Sequence, residues 1–157
     1  MKTILIYFVL SITLFSNSIL AQEFNTFWAS FNKQIKNKDY LIKKIDFPYA
    51  YSCNYLSDGE ISKAMFQEMG TEVIMNGNAF ISNCFFTLQI SKTKYKNGYI
   101  NDYLKDFFIK KFSNLDNLYV ISEKGKEEVS SGYKAYFQKS GTEFYFVGFE
   151  GQQDQGD

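Results

Sequence analysis

The sequence predicts an α+β fold: N-terminal helices packed on a curved, mainly antiparallel sheet that ends in a three-strand meander. Apolar residues recur at helical spacing over 24–35 and again over 100–112, and two-residue alternation takes over in the last third of the chain. Aromatic residues make up 19% of the sequence, a load that a sheet wrapped over helices would bury.

Residues 1–21 stand apart from that domain. Met1-Lys2-Thr3 supplies one positive charge, Ile4 to Phe15 is an apolar run of 12 residues, and Ser16-Asn17-Ser18 ends it before Ile19-Leu20-Ala21. A bilayer span takes about 20 apolar residues, so this order reads as a cleaved signal peptide rather than an anchor. Cleavage after Ser18 has the better small-x-small pattern. Cleavage after Ala21 is preferred, because the next periodic element begins at Phe24. The mature product is expected in the periplasm or outside the cell, without a membrane span, as one domain over 22–150 and a polar tail over 151–157.

Each element has its own signal. From Gln22 to Lys38, Phe24, Phe27, Trp28, Phe31 and Ile35 keep helical spacing, with Lys33, Lys36 and Lys38 on the other side. Asp39 is expected to cap a short helix over Tyr40–Ile45, which Phe47-Pro48 stops. Tyr49, Tyr51, Cys53 and Tyr55 alternate as in a strand, and Ser57-Asp58-Gly59 reads as a turn. Glu60–Met75 has a helical period through Ile61, Met65, Phe66, Met69 and Val73, weakened by Gly70. After Asn76-Gly77, Phe80, Cys84, Phe86, Leu88 and Ile90 share one parity and predict a strand over 79–91. Asn97-Gly98 precedes the strongest helix, striped by Ile100, Tyr103, Leu104, Phe107, Phe108 and Phe112, with Asn101 or Asp102 at its start. The meander follows over Leu118–Glu123, Ser130–Lys139 and Thr142–Glu150, with Lys139-Ser140-Gly141-Thr142 as a hairpin turn.

Four stretches carry a resemblance: Phe27-Trp28-Ala29-Ser30-Phe31 through Asp39, Ile45-Asp46-Phe47-Pro48, Tyr133-Lys134-Ala135-Tyr136-Phe137-Gln138-Lys139, and Phe144-Tyr145-Phe146-Val147. Spread over most of the mature chain, they resemble the nuclear-transport-factor-two-like, or cystatin-like, α+β fold, and small exported bacterial proteins built that way. The resemblance implies a fold rather than an activity. The helical segment over 60–75 is an addition to its simplest version.

Composition excludes several kinds of chemistry. All 17 basic residues are Lys, His is absent, and the formal net charge is zero. Without His there is no Ser-His-Asp or Cys-His catalysis and no imidazole metal ligand. Without Arg there is no planar fork for phosphate or carboxylate, and without a basic excess there is no reason to expect nucleic acid. Nothing points to a cofactor or a metal site. In an oxidising compartment the isolated pair Cys53 and Cys84 is expected to form a disulfide. On the chain-entropy account it stabilises by about 3–4 kcal/mol.

The motif matches are weak. Ser-x-x-Lys occurs at Ser30/Lys33, Ser91/Lys94 and Ser131/Lys134, an unremarkable number for a chain this rich in Ser and Lys, and its companion motifs are missing. Asp102 and Asp106 stand one helical turn apart, with Asp106 placed to pair with Lys110. Glu127 and Glu128 would point to opposite faces of a strand. Lys33, Lys36, Lys38, Lys43 and Lys44 read as a solvated helix face.

The aromatics of the meander remain. In Phe144-Tyr145-Phe146-Val147-Gly148-Phe149 both parities are apolar, which predicts a strand covered on both sides. If one side serves binding, Tyr136, Tyr145, Val147 and Phe149 are its candidate face, for a small apolar ligand, a protein partner or a second copy of the chain. The leading expectation is therefore an exported non-catalytic binding domain with no catalytic residue. Two alternatives compete with it. One is a pocket enzyme of the isomerase or dehydratase type, using an Asp or Glu base and a Tyr donor, which the fold resemblance admits. The other is an envelope structural or adhesion module.

Overall fold

In the computed structural model, which describes residues 22–53, 57–69, 90–95, 98–123 and 132–152, the chain divides into two compact units, 1–33 and 34–157. The described part of the first unit is a helix, α1, over residues 22–33. Its helical spacing sets Phe24, Phe27, Trp28 and Phe31 along one stripe, with neighbouring ring centroids 5.6–6.2 Å apart. It stops short of the expected Lys38, because residues 34–36 turn and Asn37 opens the next helix.

The second unit holds a six-stranded sheet in the order β2-β1-β6-β5-β4-β3. Its strands are β1 (Ile45–Cys53), β2 (Ser57–Ile61), β3 (Ile90–Lys94), β4 (Leu118–Glu123), β5 (Gly132–Ser140) and β6 (Glu143–Gln152). Its helices are α2 (Lys38–Lys44), α3 (Lys63–Met69) and α4 (Asp102–Phe112). The α+β class and the meander of β4, β5 and β6 agree with the sequence reading. Every neighbouring pair is antiparallel except β1 and β6, which run parallel. No described helix is long and apolar enough to cross a membrane.

Several local expectations need correction. Asn37, not Asp39, caps α2: its side chain accepts from the Tyr40 N–H at 3.1 Å. The helix ends at Lys44, and β1 starts at Ile45 and runs through a cis Phe47-Pro48 bond. Ser57-Asp58-Gly59 is strand β2, since register with Tyr51, Ser52 and Cys53 outweighs its turn-like composition. The expected helix over Glu60–Met75 is α3 within Lys63–Met69: Glu60 and Ile61 instead end β2 in register with Ala50 and Tyr49, and residues 70–75 lie outside the described residues, as does most of the expected strand over 79–91. The strongest helix is where the periodicity put it, capped by the Asn101 side chain on the Tyr103 N–H at 2.9 Å. β6 includes Gly151 and Gln152, two residues of the expected tail.

The turn between β5 and β6 is Gly141-Thr142, flanked by the pair Ser140 and Glu143. Gly141 has φ +60°, as a type II′ hairpin requires at its first central position. From there the register runs regularly to Phe137 opposite Phe146. It then slips by one residue, so that Tyr136 faces Gly148 and Val147 has no partner. This β-bulge explains the doubly apolar strand. Phe144 and Phe146 share a sheet face, and the extra residue returns Phe149 to that face three positions on instead of two.

The two sheet faces therefore have different cores. Against one lies α4: Ile100, Leu104 and Phe108 pack with Ala50, Leu118, Val120, Tyr136 and Val147. On the other, Tyr49 meets Phe146 at 5.2 Å, Phe146 meets Phe137 at 5.6 Å and Tyr119 meets Phe144 at 5.0 Å, mostly edge to face. Each such buried ring contributes about 1.5–3 kcal/mol relative to exposure. The C-terminal end of α4 is tied to β1 by Lys111, whose ammonium donates to the carbonyls of Asp46 and Pro48 at 2.6 and 2.7 Å.

At Gly148 a Cβ would stand 2.6 Å from the Ala50 carbonyl oxygen and 3.1 Å from Phe108. Because the nearer atom is backbone of the adjacent strand, Gly148→Ala should lose about 1–3 kcal/mol in urea melts. An unchanged midpoint would show that β1 and β6 are not this close.

Candidate functional site

One cluster in the second unit combines buried charge with unpaired polar atoms, and the bulge creates it. Continued without slippage from the turn, the β5–β6 register would set Lys134 opposite Phe149 and put Glu150 on the other face. The extra residue at Val147 sets Lys134 opposite Glu150. Both side chains are buried, and the ammonium meets the carboxylate at 2.7 Å.

Both oxygens of Glu150 are engaged. Oε1 accepts from Lys134, and Oε2 accepts from the backbone N–H of Asn101 at 3.0 Å. Lys134 also donates to the Tyr99 carbonyl at 3.2 Å and lies 4.9 Å from the centre of the Tyr99 ring. The ion pair thus joins the sheet to the residues that lead into α4. Burying two charges is costly unless they are paired and hydrogen-bonded, and here the backbone supplies the further partners.

The same face of the sheet carries polar atoms without partners. Among the described residues, Tyr136 Oη, Ser122 Oγ and Gln138 Oε1 are buried without a hydrogen-bond partner. Register puts all three on the α4 side: Ser122 faces Lys134 across β4 and β5, and Tyr136 and Gln138 follow Lys134 at two-residue steps. The Tyr136 ring packs 5.4 Å from Phe108. Its hydroxyl is close to the Glu150 carboxylate, but not in hydrogen-bonding geometry. Burial first, then the negative charge of Glu150 and the approach of the hydroxyl to its carboxylate, push the Tyr136 phenol well above its ordinary value. Burial and the charge of Glu150 also raise Tyr95, whose hydroxyl donates to the Gly98 carbonyl at 2.8 Å. On the opposite face Tyr49 is also unpaired and is raised, first by burial and then by Tyr51.

The four residues of the expected binding face do not share a face. Tyr136 and Val147 belong to the core under α4. Tyr145, half-buried, pairs with Gln138 across the hairpin and has the Lys44 ammonium 5.9 Å from its ring centre. Phe149 lies on the other side of the sheet, stacked on Tyr51 at 5.9 Å. The one-residue slip separates them: Val147 and Phe149 match in parity only along an unbroken strand.

Cys53 is half-buried, in register with Gly151, and is the one cysteine among the described residues, where it has no sulfur partner. Its sulfur would be 3.5 Å from a Cβ on Gly151, while Tyr133 packs over the same glycine. Cys84 lies outside the described residues, as do Ser131, Glu127 and Glu128. Asp102 and Asp106 are exposed on α4. Among the described residues, no three Cys, Asp or Glu side chains converge to hold a metal.

Tyr136 and Tyr49 ionise later in the folded than in the unfolded chain. Their contribution to stability is therefore complete below the ordinary tyrosine value of 10.0 and is lost as pH climbs beyond it. Lys111, lowered chiefly by burial, acts in the opposite sense just below its ordinary value of 10.5. Urea melts above pH 10.0 should accordingly fall less steeply for Tyr136→Phe than for the parent chain; parallel curves would contradict the burial of this phenol. No protein-family model matches this chain, and no curated protein matches it in sequence.

Proposed function

We propose that this chain is an exported, non-catalytic binding domain that takes a small, largely apolar ligand between α4 and the sheet. The observation that carries the reading is the set of polar atoms, Tyr136 Oη, Ser122 Oγ and Gln138 Oε1, that lie buried without a partner on the α4 side of the sheet. Leaving a buried hydroxyl unpaired costs about 1–3 kcal/mol. An occupant with an apolar body and one polar group would recover part of that cost while touching Leu104, Phe108 and Val120. Charge narrows the class of ligand. Lys134 and Glu150 neutralise each other, so the interior favours an uncharged molecule.

The non-catalytic part of the reading rests on Glu150. Glu150 and Tyr136 are the carboxylate and tyrosine that a pocket enzyme would need, and their proximity is what favours that alternative. Against it, each Glu150 oxygen already accepts a hydrogen bond, one of them from an ammonium. Both oxygens are thus engaged by this chain's own donors.

Export rests on the order of charge, apolar run and small exit residues in 1–21, with removal after Ala21. A Cys53–Cys84 disulfide goes with that destination, as Cys53 ends β1 half-buried rather than sealed in the core.

One measurement tests the three parts together: mass spectrometry of the protein recovered from the exported fraction, under native and then denaturing conditions. The expected chain begins at Gln22, is two hydrogens lighter than its reduced form, and carries a small-molecule adduct lost on denaturation. A chain retaining Met1 would overturn export, two free thiols would overturn the disulfide, and an adduct-free native spectrum would overturn binding.

A further inference from the structure

The segment Gly98–Asn101 is tied to the α4 side of the sheet by three polar contacts and by the buried side chain of Ile100. Tyr95 Oη donates to the Gly98 carbonyl, Lys134 Nζ donates to the Tyr99 carbonyl, and the Asn101 N–H donates to Glu150. Ile100 supplies its apolar contact with the core. No regular secondary structure holds the segment. The sheet beside it is different: β5 is paired along its length with β6 on one side and with β4 on the other. Two of the three polar ties end on Lys134 or Glu150, so a single ion pair carries most of the polar attachment. Beside that attachment lie Tyr136 Oη and Ser122 Oγ, which have no partner while the segment is closed. An apolar interior would resist water entry, whereas these two hydroxyls gain hydrogen bonds from it.

We propose that Gly98–Asn101 is a strap latched by the Lys134–Glu150 pair, which opens as a local unit ahead of the sheet and so gives a small molecule its way to Tyr136 and Ser122. The proposal deepens the binding reading by naming the entrance, and rests on that reading only for what enters. Opening itself is a property of the ligand-free chain. Proteins open locally in cooperative units whose free energies lie below that of global unfolding. Here the unit comprises the strap and the first turn of α4, whose cap residue is Asn101. The other end of α4 stays attached through Lys111.

Amide hydrogen exchange on the mature, ligand-free chain, followed residue by residue at increasing urea, tests this. The Asn101 amide should exchange at least 100-fold faster than the slowest β5 amides, with little dependence on urea. Lys134→Met should accelerate it tenfold or more. Tyr136→Phe should slow it severalfold, because the closed form no longer buries an unpaired hydroxyl. If Lys134→Met does not fold, the parent chain and Tyr136→Phe still decide. Asn101 exchange that matches the slowest β5 amides in rate and urea dependence would overturn the strap. So would an unchanged or faster rate in Tyr136→Phe. Either result leaves the mass-spectrometric test of binding unaffected, so the two readings fail separately.

Discussion

A single extra residue in β6 organises the second unit. Without the bulge at Val147, Lys134 would face Phe149 and Glu150 would turn to the aromatic face; with it, the two charges meet inside the protein. The same slip keeps Phe144, Phe146 and Phe149 together on one face and gives Val147 to the other. Gly148 is the steric counterpart. Its missing side chain lets β6 lie against the Ala50 carbonyl and lets Phe108 reach the sheet. Bulges bend a strand and re-aim its side chains, and here the re-aimed side chain is the carboxylate on which the start of α4 depends.

The helix is fixed differently at its two ends. At its N-terminus Glu150 accepts from Asn101, which places a carboxylate where the helix dipole favours one. At its C-terminus Lys111 bridges two carbonyls of β1 and pairs with the Asp46 carboxylate at 3.2 Å. Between them Leu104 and Phe108 are fully buried. Polar fastenings at the ends and an apolar middle leave the interior beside Tyr136 closed but not fully satisfied. That combination is the physical basis for reading the helix–sheet interior as a binding site rather than as core alone.

Much of this was legible in the sequence. The period of Leu104, Phe107, Phe108 and Phe112 marked α4, and the Gly141 turn marked the β5–β6 hairpin, because each depends on neighbours within a few residues. The α2 cap and β2 were not legible. Asn37 and Asp39 are both good N-caps, and only the backbone path decides between them; Ser57-Asp58-Gly59 has turn composition, yet it is held by pairing with β1. The site was hidden for the same reason in a stronger form. Lys134 drew notice through Ser131 and as part of a strand, and Glu150 only as the end of one. The doubly apolar run over 144–149 fits a strand covered on both faces as well as a slipped one, so the pair became visible only once β5 and β6 were laid side by side. The slip also broke up the expected face of Tyr136, Tyr145, Val147 and Phe149.

The packing of β6 against the start of α4 depends on Lys134 and Glu150 acting as one buried pair, and a double-mutant cycle measures that most directly. Lys134→Met and Glu150→Gln should each lose about 3–5 kcal/mol in urea melts, since each leaves a buried charge or its partners uncompensated. The double variant should lose less than the sum of the two, with the introduced amide oxygen still able to accept from Asn101. Losses that simply add would contradict the pairing, and with it the role assigned to the bulge.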